Sequence, residues 1–326
     1  MCLYPRLIQN PKYKPNKKNG GKPPKAADPR INMVPIACGN CIECRKKLAN
    51  EWKIRLNEEL KTQNSNGKNA AFVTLTFSNE SIEKLKKAID EENENANKYE
   101  TNTKKEYEEL NQIAKKGVRL FLERWRAKNG KSVKHWLTTE LGEENDRIHL
   151  HGIIFTDKDK TEDIKHLWKY GITYVGEYVN EKTINYITKY ITKYDKKHKG
   201  YKPKILCSKG IGSGYINRGK TYNRYKGENT RETYKTKQGY DLNLPIYYRN
   251  HIFTEEEREK LWINKLDKGE RYILNTKYET KTTKQVDNFL KALKEAQKFN
   301  TKIGYGKTEY KQDIYKKLLE KLDNPL

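Results

Sequence analysis

The chain has 326 residues, of which 68 are Lys or Arg and 43 are Asp or Glu, so its formal net charge is +25; an excess of this size favours a polyanionic partner such as nucleic acid. Only 34% of the residues are hydrophobic and the mean hydropathy is −1.09, which excludes a large apolar core. With no apolar run near the roughly 18 residues of a membrane span and no apolar signal core, we expect a soluble, intracellular protein.

The N-terminal part carries a cysteine cluster. Residues 1–37 are rich in Pro, Lys, Asn and Gly and predict an extended arm. Three of the five cysteines follow in the pattern Cys38-x-x-Cys41-x-x-Cys44. This spacing suits metal ligation better than a disulfide framework, and either Cys2 or Cys207 would supply the fourth ligand of a tetrahedral zinc site. We expect structural zinc that holds the arm to the core, with free buried thiols as the alternative.

The following elements predict a sheet with helices packed on it. Trp52, Leu56 and Leu60 recur at a spacing of four and predict a helix. Residues 72–77 alternate in hydrophobicity and predict a buried strand. The highly charged residues 81–116 predict a solvated helical excursion, and an amphipathic helix follows at 118–125.

Further along, residues 134–140 and 149–156 predict two strands around a turn-like stretch at 142–146, which indicates an antiparallel hairpin. A short strand is expected at 172–178 and a helix at 182–194, where isoleucines recur at spacings of three and four. This order predicts an α+β fold, in which a central antiparallel sheet has flanking helices.

The hairpin brings together a candidate metal site. His149 and His151 lie two residues apart in a strand, so their side chains share one face. If the hairpin closes about its turn, Glu140 lies opposite His149 on that face, with Cβ atoms about 5 Å apart. Two imidazoles and a carboxylate leave coordination positions open, as a catalytic Mg²⁺ or Mn²⁺ requires. The alternative is a pair of hydrogen-bonded histidines on a half-exposed strand.

The helix downstream carries candidate nucleophiles. Tyr186 and Tyr190 lie one turn apart on one helix face, and Lys189 and Lys193 each follow a tyrosine by three. A phenol has a pKa of about 10, so it attacks phosphorus only when a cation or base assists it. The pattern predicts tyrosine nucleophiles assisted by the metal and the lysines; the alternative is a helix whose tyrosines only pack on the sheet. Tyr194 extends the series by another four, so spacing alone does not determine which tyrosines react.

Residues 193–237 form the densest basic segment, with 14 Lys or Arg against 3 acidic residues and with interleaved tyrosines. We expect it to bind phosphates and stack bases of single-stranded DNA, although such a run is otherwise a solvated face. Residues 214–221 match the pattern G-x-x-x-x-G-K-T but lack the buried strand before it and the amphipathic helix after it, so we interpret them as a loop on the DNA backbone. The candidate DNA-binding residues are Lys202, Lys204, Lys209, Arg218, Lys220 and Arg224.

These patterns divide the chain into four regions. They are a Cys-containing arm and helix (1–68), a nicking domain (69–200), the basic Tyr-rich segment (201–250) and a helical C-terminal region (251–326), with helices predicted at 254–266, 282–298 and 307–323.

The motif His149-Leu150-His151 followed by Tyr186-x-x-Lys189-Tyr190-x-x-Lys193 resembles the superfamily of rolling-circle initiators with a histidine-hydrophobe-histidine motif, the HUH endonucleases, in its two-tyrosine form. Over residues 1–215, the chain more closely resembles the replication initiators of gokushovirus-type microviruses. That resemblance is carried by the segments CGNCIECRKK, FVTLTFS, FLERW, KHWLTTELGEENDRIHLHGIIF, YVNEKTINYITKYITK and KPKILCSKGIGSGY.

The resemblance implies a nickase that cuts the viral origin, stays attached to the 5′ end and later rejoins the strand. It implies that FVTLTFS is the first motif, that His149, His151 and Glu140 are metal ligands and that Tyr186 and Tyr190 are alternating nucleophiles. Expected partners are single-stranded and supercoiled origin DNA, a host helicase and the replisome, in the cytoplasm of a bacterial host. The remaining alternatives are a relaxase or single-strand transposase of the same chemistry, and a non-enzymatic, zinc-stapled nucleic-acid-binding protein.

Overall fold

The computed structural model describes residues 1–95, 106–142, 146–176, 178–193, 195, 197–198 and 201–305. The strands in this part of the chain are β1 (Arg6–Gln9), β2 (Met33–Ile36), β3 (Asn69–Thr76), β4 (Lys134–Leu141), β5 (Ile148–Thr156), β6 (Thr173–Gly176), β7 (Ile205–Cys207), β8 (Thr233–Lys235), β9 (Asp241–Asn243), β10 (Glu270–Ile273) and β11 (Thr276–Glu279). The helices are α1 (Ile42–Ser65), α2 (Asn79–Asn95), α3 (Glu106–Asn129), α4 (Thr161–Leu167), α5 (Glu181–Thr192), α6 (Tyr215–Tyr222), α7 (Ile246–Ile252), α8 (Glu255–Lys268) and α9 (Thr283–Lys302).

The chain forms two compact units, Met1–Glu51 with Ile216–Leu326 and Trp52–Tyr215. The four-region division expected from the sequence stays a prediction about domains. Among the described helices, none combines the length and the apolar character that crossing a membrane requires.

The unit Trp52–Tyr215 is built on a five-stranded antiparallel sheet in the order β6-β3-β5-β4-β7. The expectation of a central antiparallel sheet with flanking helices is confirmed. The middle strand β5 pairs with β3 on one side and β4 on the other. The backbones are so close that a Cβ at Gly152 would overlap the carbonyl oxygen of Trp136, which is why a glycine follows the second histidine.

The two faces of this sheet have different roles. Alternate residues of the central strands, such as Val73, Leu75 and Leu150, join a core with buried residues of α2, α3 and α4, including Phe121 and Trp125. Because strand side chains alternate, the residues between them lie on the opposite face. There Trp52 of α1 meets Trp136 of β4, with ring centroids 5.7 Å apart. This second face carries the histidines.

The other unit contains three two-stranded antiparallel sheets, β1–β2, β8–β9 and β10–β11. The predicted extended arm thus contains two short strands that pair with each other. Helices α8 and α9 confirm the predictions at 254–266 and 282–298, whereas 307–323 lies outside the described residues. Residues 214–221 were interpreted as a loop, and this interpretation is wrong because Tyr215–Tyr222 is the helix α6.

Candidate active site

The β4–β5 register places Glu140 opposite His149 and Thr138 opposite His151. This is the register predicted from the turn at 142–146, and it is confirmed. Since the two strands alternate in phase, Glu140 and both histidines lie on the same face of the sheet. The described part of the turn includes Asp146, whose positive φ of 51° allows the chain to reverse there.

The three side chains converge on one point. The Nε2 atom of His149 lies 3.3 Å from the Oε2 atom of Glu140, and the Nε2 atom of His151 lies 3.1 Å from that same oxygen. One ligand atom from each residue lies within 4.8 Å of the others. The side chains are only 12% to 19% exposed, so the group is largely shielded but open on one side.

The outer nitrogens of both imidazoles are also engaged. Nδ1 of His149 is 3.2 Å from the carbonyl oxygen of Arg147, and Nδ1 of His151 is 3.0 Å from the hydroxyl of Thr74. Because a carbonyl can only accept, Nδ1 of His149 carries the hydrogen and the lone pair of neutral Nε2 faces the carboxylate of Glu140. Two acceptors face each other there, so the donor set fits a cation held between them.

Glu140 is ionised in this arrangement. Burial opposes its ionisation, but hydrogen bonds from His149, His151 and Lys193 outweigh burial and hold the pKa of Glu140 below its usual range. The Nζ atom of Lys193 lies 2.7 Å from Oε1 of Glu140. The structure therefore brings Lys193 to the carboxylate, beside the tyrosines with which it was predicted to act.

Helix α5 is fixed over this face by a cap and an apolar stripe. The side chain of Asn180 accepts a 3.0 Å hydrogen bond from the backbone N–H of Thr183, which caps the N-terminus. Ile184, Ile187 and Ile191 are buried. Since these residues recur at three and four, they hold one side of α5 against the protein and leave the tyrosine side turned toward the histidines.

Tyr186 and Tyr190 contact each other directly. The hydroxyl of Tyr190 donates a 2.7 Å hydrogen bond to that of Tyr186. The Tyr190 ring lies parallel to the His151 ring, with centroids 4.8 Å apart and planes within 6°. Burial, the bond to Tyr186 and the negative charge of Glu140 raise the pKa of Tyr190. Tyr186 is 49% exposed, Lys189 is exposed on the same helix, and Tyr194 lies outside the described residues.

An aromatic row beside the site was not anticipated from the sequence. The ring of Phe72 has centroids about 6 Å away on three sides: it lies 6.3 Å from His151, 6.3 Å from Tyr186 and 6.2 Å from Tyr174. Tyr174 is 60% exposed on the edge strand β6. Thr74 pairs with both Tyr174 and His151, so the row crosses the sheet from its edge to the histidines. Period-two alternation in β6 would have put Tyr174 on one face, but its neighbour strand was not predictable locally.

The predicted DNA-binding residues fall in both units, and all six are exposed. Lys202, Lys204 and Lys209 flank β7, and the backbone of Lys204 bonds with the N–H and hydroxyl of Thr139, next to Glu140. Arg218, Lys220 and Arg224 belong to the other unit, in and after α6.

Three tyrosines of the basic segment cannot stack on bases. Tyr201, Tyr215 and Tyr234 are each at most 6% exposed, so the expectation that they contact DNA is wrong. The hydroxyl of Tyr201 donates to the hydroxyl of Thr139 at 2.8 Å. These rings fill the interior of an irregular segment, where no periodicity in the sequence separates inward from outward positions.

The cysteines form a second group that could hold a metal ion. Cys2, Cys38, Cys41 and Cys44 each offer a sulfur, and these atoms lie within 4.8 Å of one another. The N-terminal cysteine thus completes the set, whereas Cys207 is exposed on β7.

Comparisons with known proteins coincide with the histidine and tyrosine site. A family model for replication-associated proteins of the ORF2 type matches residues 70–195, a range that contains Glu140, both histidines and both tyrosines. The chain is similar to the replication-associated protein ORF2 of Spiroplasma virus 4, with 27% identity over 204 residues that cover 56% of this chain and 57% of that protein. The chain therefore spans little more than half the length of this curated relative. No solved structure matches the chain.

Proposed function

We propose that this protein initiates replication of a viral genome by nicking one DNA strand at the origin, becoming linked to its 5′ end through a tyrosine, and later rejoining the strand. The observation that carries the proposal is the contact between the tyrosine pair and the metal-fitting triad: Tyr190 stacks on His151 while it holds the hydroxyl of Tyr186. The similarity of residues 70–195 to replication-associated proteins supports the same interpretation.

In this proposal Glu140, His149 and His151 hold a divalent cation, Mg²⁺ or Mn²⁺. When bound, it polarises the scissile phosphate and stabilises charge on the leaving oxygen. The tautomer of His149 that Arg147 imposes leaves Nε2 free to coordinate. Lys193 keeps Glu140 ionised when the site is empty of other cations, and Lys189 supplies positive charge for the phosphate.

The tyrosine performs a transesterification. Its oxygen forms a bond to phosphorus while the bond from phosphorus to the 3′ oxygen breaks; the phenol proton passes to solvent and the released 3′ oxygen takes up a proton. One phosphodiester is exchanged for another, so no external energy source is needed. The reverse attack, by a 3′ hydroxyl on the phosphotyrosine, rejoins the strand, and the second tyrosine allows a second cleavage while the first remains linked.

The substrate strand would enter along the exposed features around the triad. The Lys202–Lys204 stretch runs beside β4 next to Glu140, which suits backbone phosphates. The aromatic row of Phe72 and Tyr174 suits unpaired bases, since every base has a face that can stack. A host helicase and replisome in the bacterial cytoplasm would extend the opened strand.

The experiment that tests this function uses supercoiled plasmid carrying the cognate viral origin. Incubation with Mn²⁺ is expected to give nicked circles with protein on the 5′ end, and a plasmid without the origin stays supercoiled. A non-enzymatic nucleic-acid-binding protein would shift the plasmid on a gel without nicking it, and nicking at a different class of origin would favour the relaxase or transposase alternative.

A further inference from the structure

The cysteine group has the dimensions of a tetrathiolate metal site. A tetrahedral ion with metal–sulfur bonds near 2.3 Å separates its sulfurs by about 3.8 Å. The sulfurs of Cys38 and Cys44 are 3.9 Å apart, and all four sulfurs lie within 4.8 Å of one another. Paired disulfides would bring sulfurs to about 2 Å and leave no reason for four to converge.

Backbone N–H groups surround the sulfurs in the manner that thiolates require. The amides of Tyr4 and Cys38 point at the sulfur of Cys2, at 3.4 and 3.2 Å. The amide of Leu3 lies 3.4 Å from the sulfur of Cys41. The sulfur of Cys38 receives the amides of Asn40 and Cys41, at 3.5 and 3.3 Å. These contacts favour ionised sulfur, the form that binds metal.

The surroundings also favour negative charge. Cys41 and Cys44 flank the first turn of α1, where the helix N-terminus is positive. Arg45 follows Cys44 and is buried, with its guanidinium over the ring of Tyr305 at 4.8 Å. Four thiolates around a divalent ion leave a net charge of −2, so a buried arginine beside them offsets part of that charge.

We propose that Cys2, Cys38, Cys41 and Cys44 bind one Zn²⁺ ion, and that this ion fastens both the N-terminus and the start of α1 to helix α9. Sulfur ligands in a tetrahedral set select zinc over the oxygen-preferring cations. This inference goes beyond the nicking function and does not depend on it.

The link to α9 passes through residues next to the ligands. Beside Cys2, the carbonyl of Leu3 accepts a 2.8 Å hydrogen bond from Gln297. Beside Cys41, the amide of Ile42 donates at 2.9 Å to the side chain of Asn300. Gln297 and Asn300 are both buried on α9. Metal binding orders Cys2 and Cys41 together, and thereby positions both anchors of the helix.

The fifth cysteine provides a matched control. The full chain is purified under reducing conditions and its bound metal is counted. We expect about one Zn²⁺ per chain in the wild type, in Cys207→Ser and in the His149→Ala/His151→Ala variant, and less than about a tenth of that in Cys2→Ser or Cys38→Ser. Replacement by Co²⁺ should give a thiolate-to-cobalt charge-transfer band in the first three proteins, a signal that does not require the serine variants to fold.

Three results would overturn the metal assignment: wild-type protein without metal after reconstitution, a mass deficit of two hydrogens per cysteine pair that indicates disulfides, or Co²⁺ bound without the thiolate band. The fastening is tested separately by hydrogen exchange after a chelator strips the ion. Exchange in Thr283–Lys302 should accelerate by about tenfold or more while Ile148–Thr156 is unchanged; equal protection of α9 with and without zinc would contradict it.

Discussion

The hydroxyl of Tyr190 donates a 2.7 Å hydrogen bond to the hydroxyl of Tyr186, which makes the two candidate nucleophiles unequal. When Tyr186 loses its proton, its oxygen still accepts this bond. When Tyr190 loses its proton, the bond disappears and the charge lies in a more buried position, near the carboxylate of Glu140. We infer that Tyr186 attacks first and that Tyr190 supports it.

This asymmetry predicts different effects for the two single substitutions. Tyr186→Phe should slow the first cleavage of a single-stranded origin oligonucleotide by more than about 100-fold, because the attacking oxygen is gone. Tyr190→Phe should slow it by roughly 5- to 10-fold, the cost of one hydrogen bond. Single-turnover kinetics with Mn²⁺ measure both, with Tyr178→Phe as an exposed control. A larger loss for Tyr190→Phe would reverse the proposed order.

The ligand role of Glu140 predicts a loss that Mn²⁺ concentration partly restores. Glu140→Gln keeps the shape of the side chain but removes the charge, and should lower cleavage at limiting Mn²⁺ by more than about 100-fold. Binding of single-stranded DNA should stay within about twofold of wild type, because the residue holds the cation rather than the strand. Glu162→Gln, at an exposed position on α4, is the control. Cleavage by Glu140→Gln at the wild-type rate and the wild-type Mn²⁺ requirement would exclude ligation.

The aromatic row predicts a stacking contribution to DNA binding. Tyr174→Ala should weaken single-stranded DNA binding by about 1 to 3 kcal/mol, roughly 5- to 150-fold, whereas Tyr174→Trp should retain it. Fluorescence of 2-aminopurine in the oligonucleotide reports the stacking without any cleavage. Tyr240→Ala, the control, removes a tyrosine that is 72% exposed in the other compact unit. If both alanine variants bind equally well and quench equally, bases do not stack on Tyr174.

His198 joins the segment after α5 to the β4–β5 turn. Its Nδ1 lies 2.6 Å from Asp195 and its Nε2 lies 2.7 Å from Asp146. Lys197 also pairs with Asp146, and the edge of the Tyr107 ring meets the imidazole. Burial lowers the pKa of His198, but the two carboxylates outweigh burial and raise it above its ordinary value of 6.5.

Because the folded pKa is raised, the stabilisation by His198 is fully present below about pH 6.5 and is lost as the pH rises through the folded pKa. His198→Gln should therefore lower the unfolding free energy by about 1 to 3 kcal/mol near pH 6, and by clearly less near pH 9. Urea unfolding at both pH values measures this, with the exposed His166→Gln as control. A penalty that is equal at the two pH values would show that charge on His198 is not involved.

The catalytic geometry was more predictable from the sequence than the surface around it. A turn between two period-two strands fixes which residues face each other, so Glu140 opposite His149 followed from local pattern alone. The position of Tyr174 depends on β6 joining the far edge of β3, a long-range pairing without a local signal. The choice of Cys2 over Cys207 has the same origin, and the burial of Tyr201 occurs in an irregular segment where no period marks the inward side.

The covalent adduct itself gives the most direct test of the proposed nicking. The protein is incubated with a single-stranded origin oligonucleotide and Mn²⁺, and denatured products are resolved by gel and mass spectrometry. We predict a 5′-phosphotyrosine at Tyr186 or Tyr190 in the wild type and no adduct in the Tyr186→Phe/Tyr190→Phe double variant. An undiminished adduct in the double variant, mapped to Tyr194 or elsewhere, would contradict the proposed mechanism.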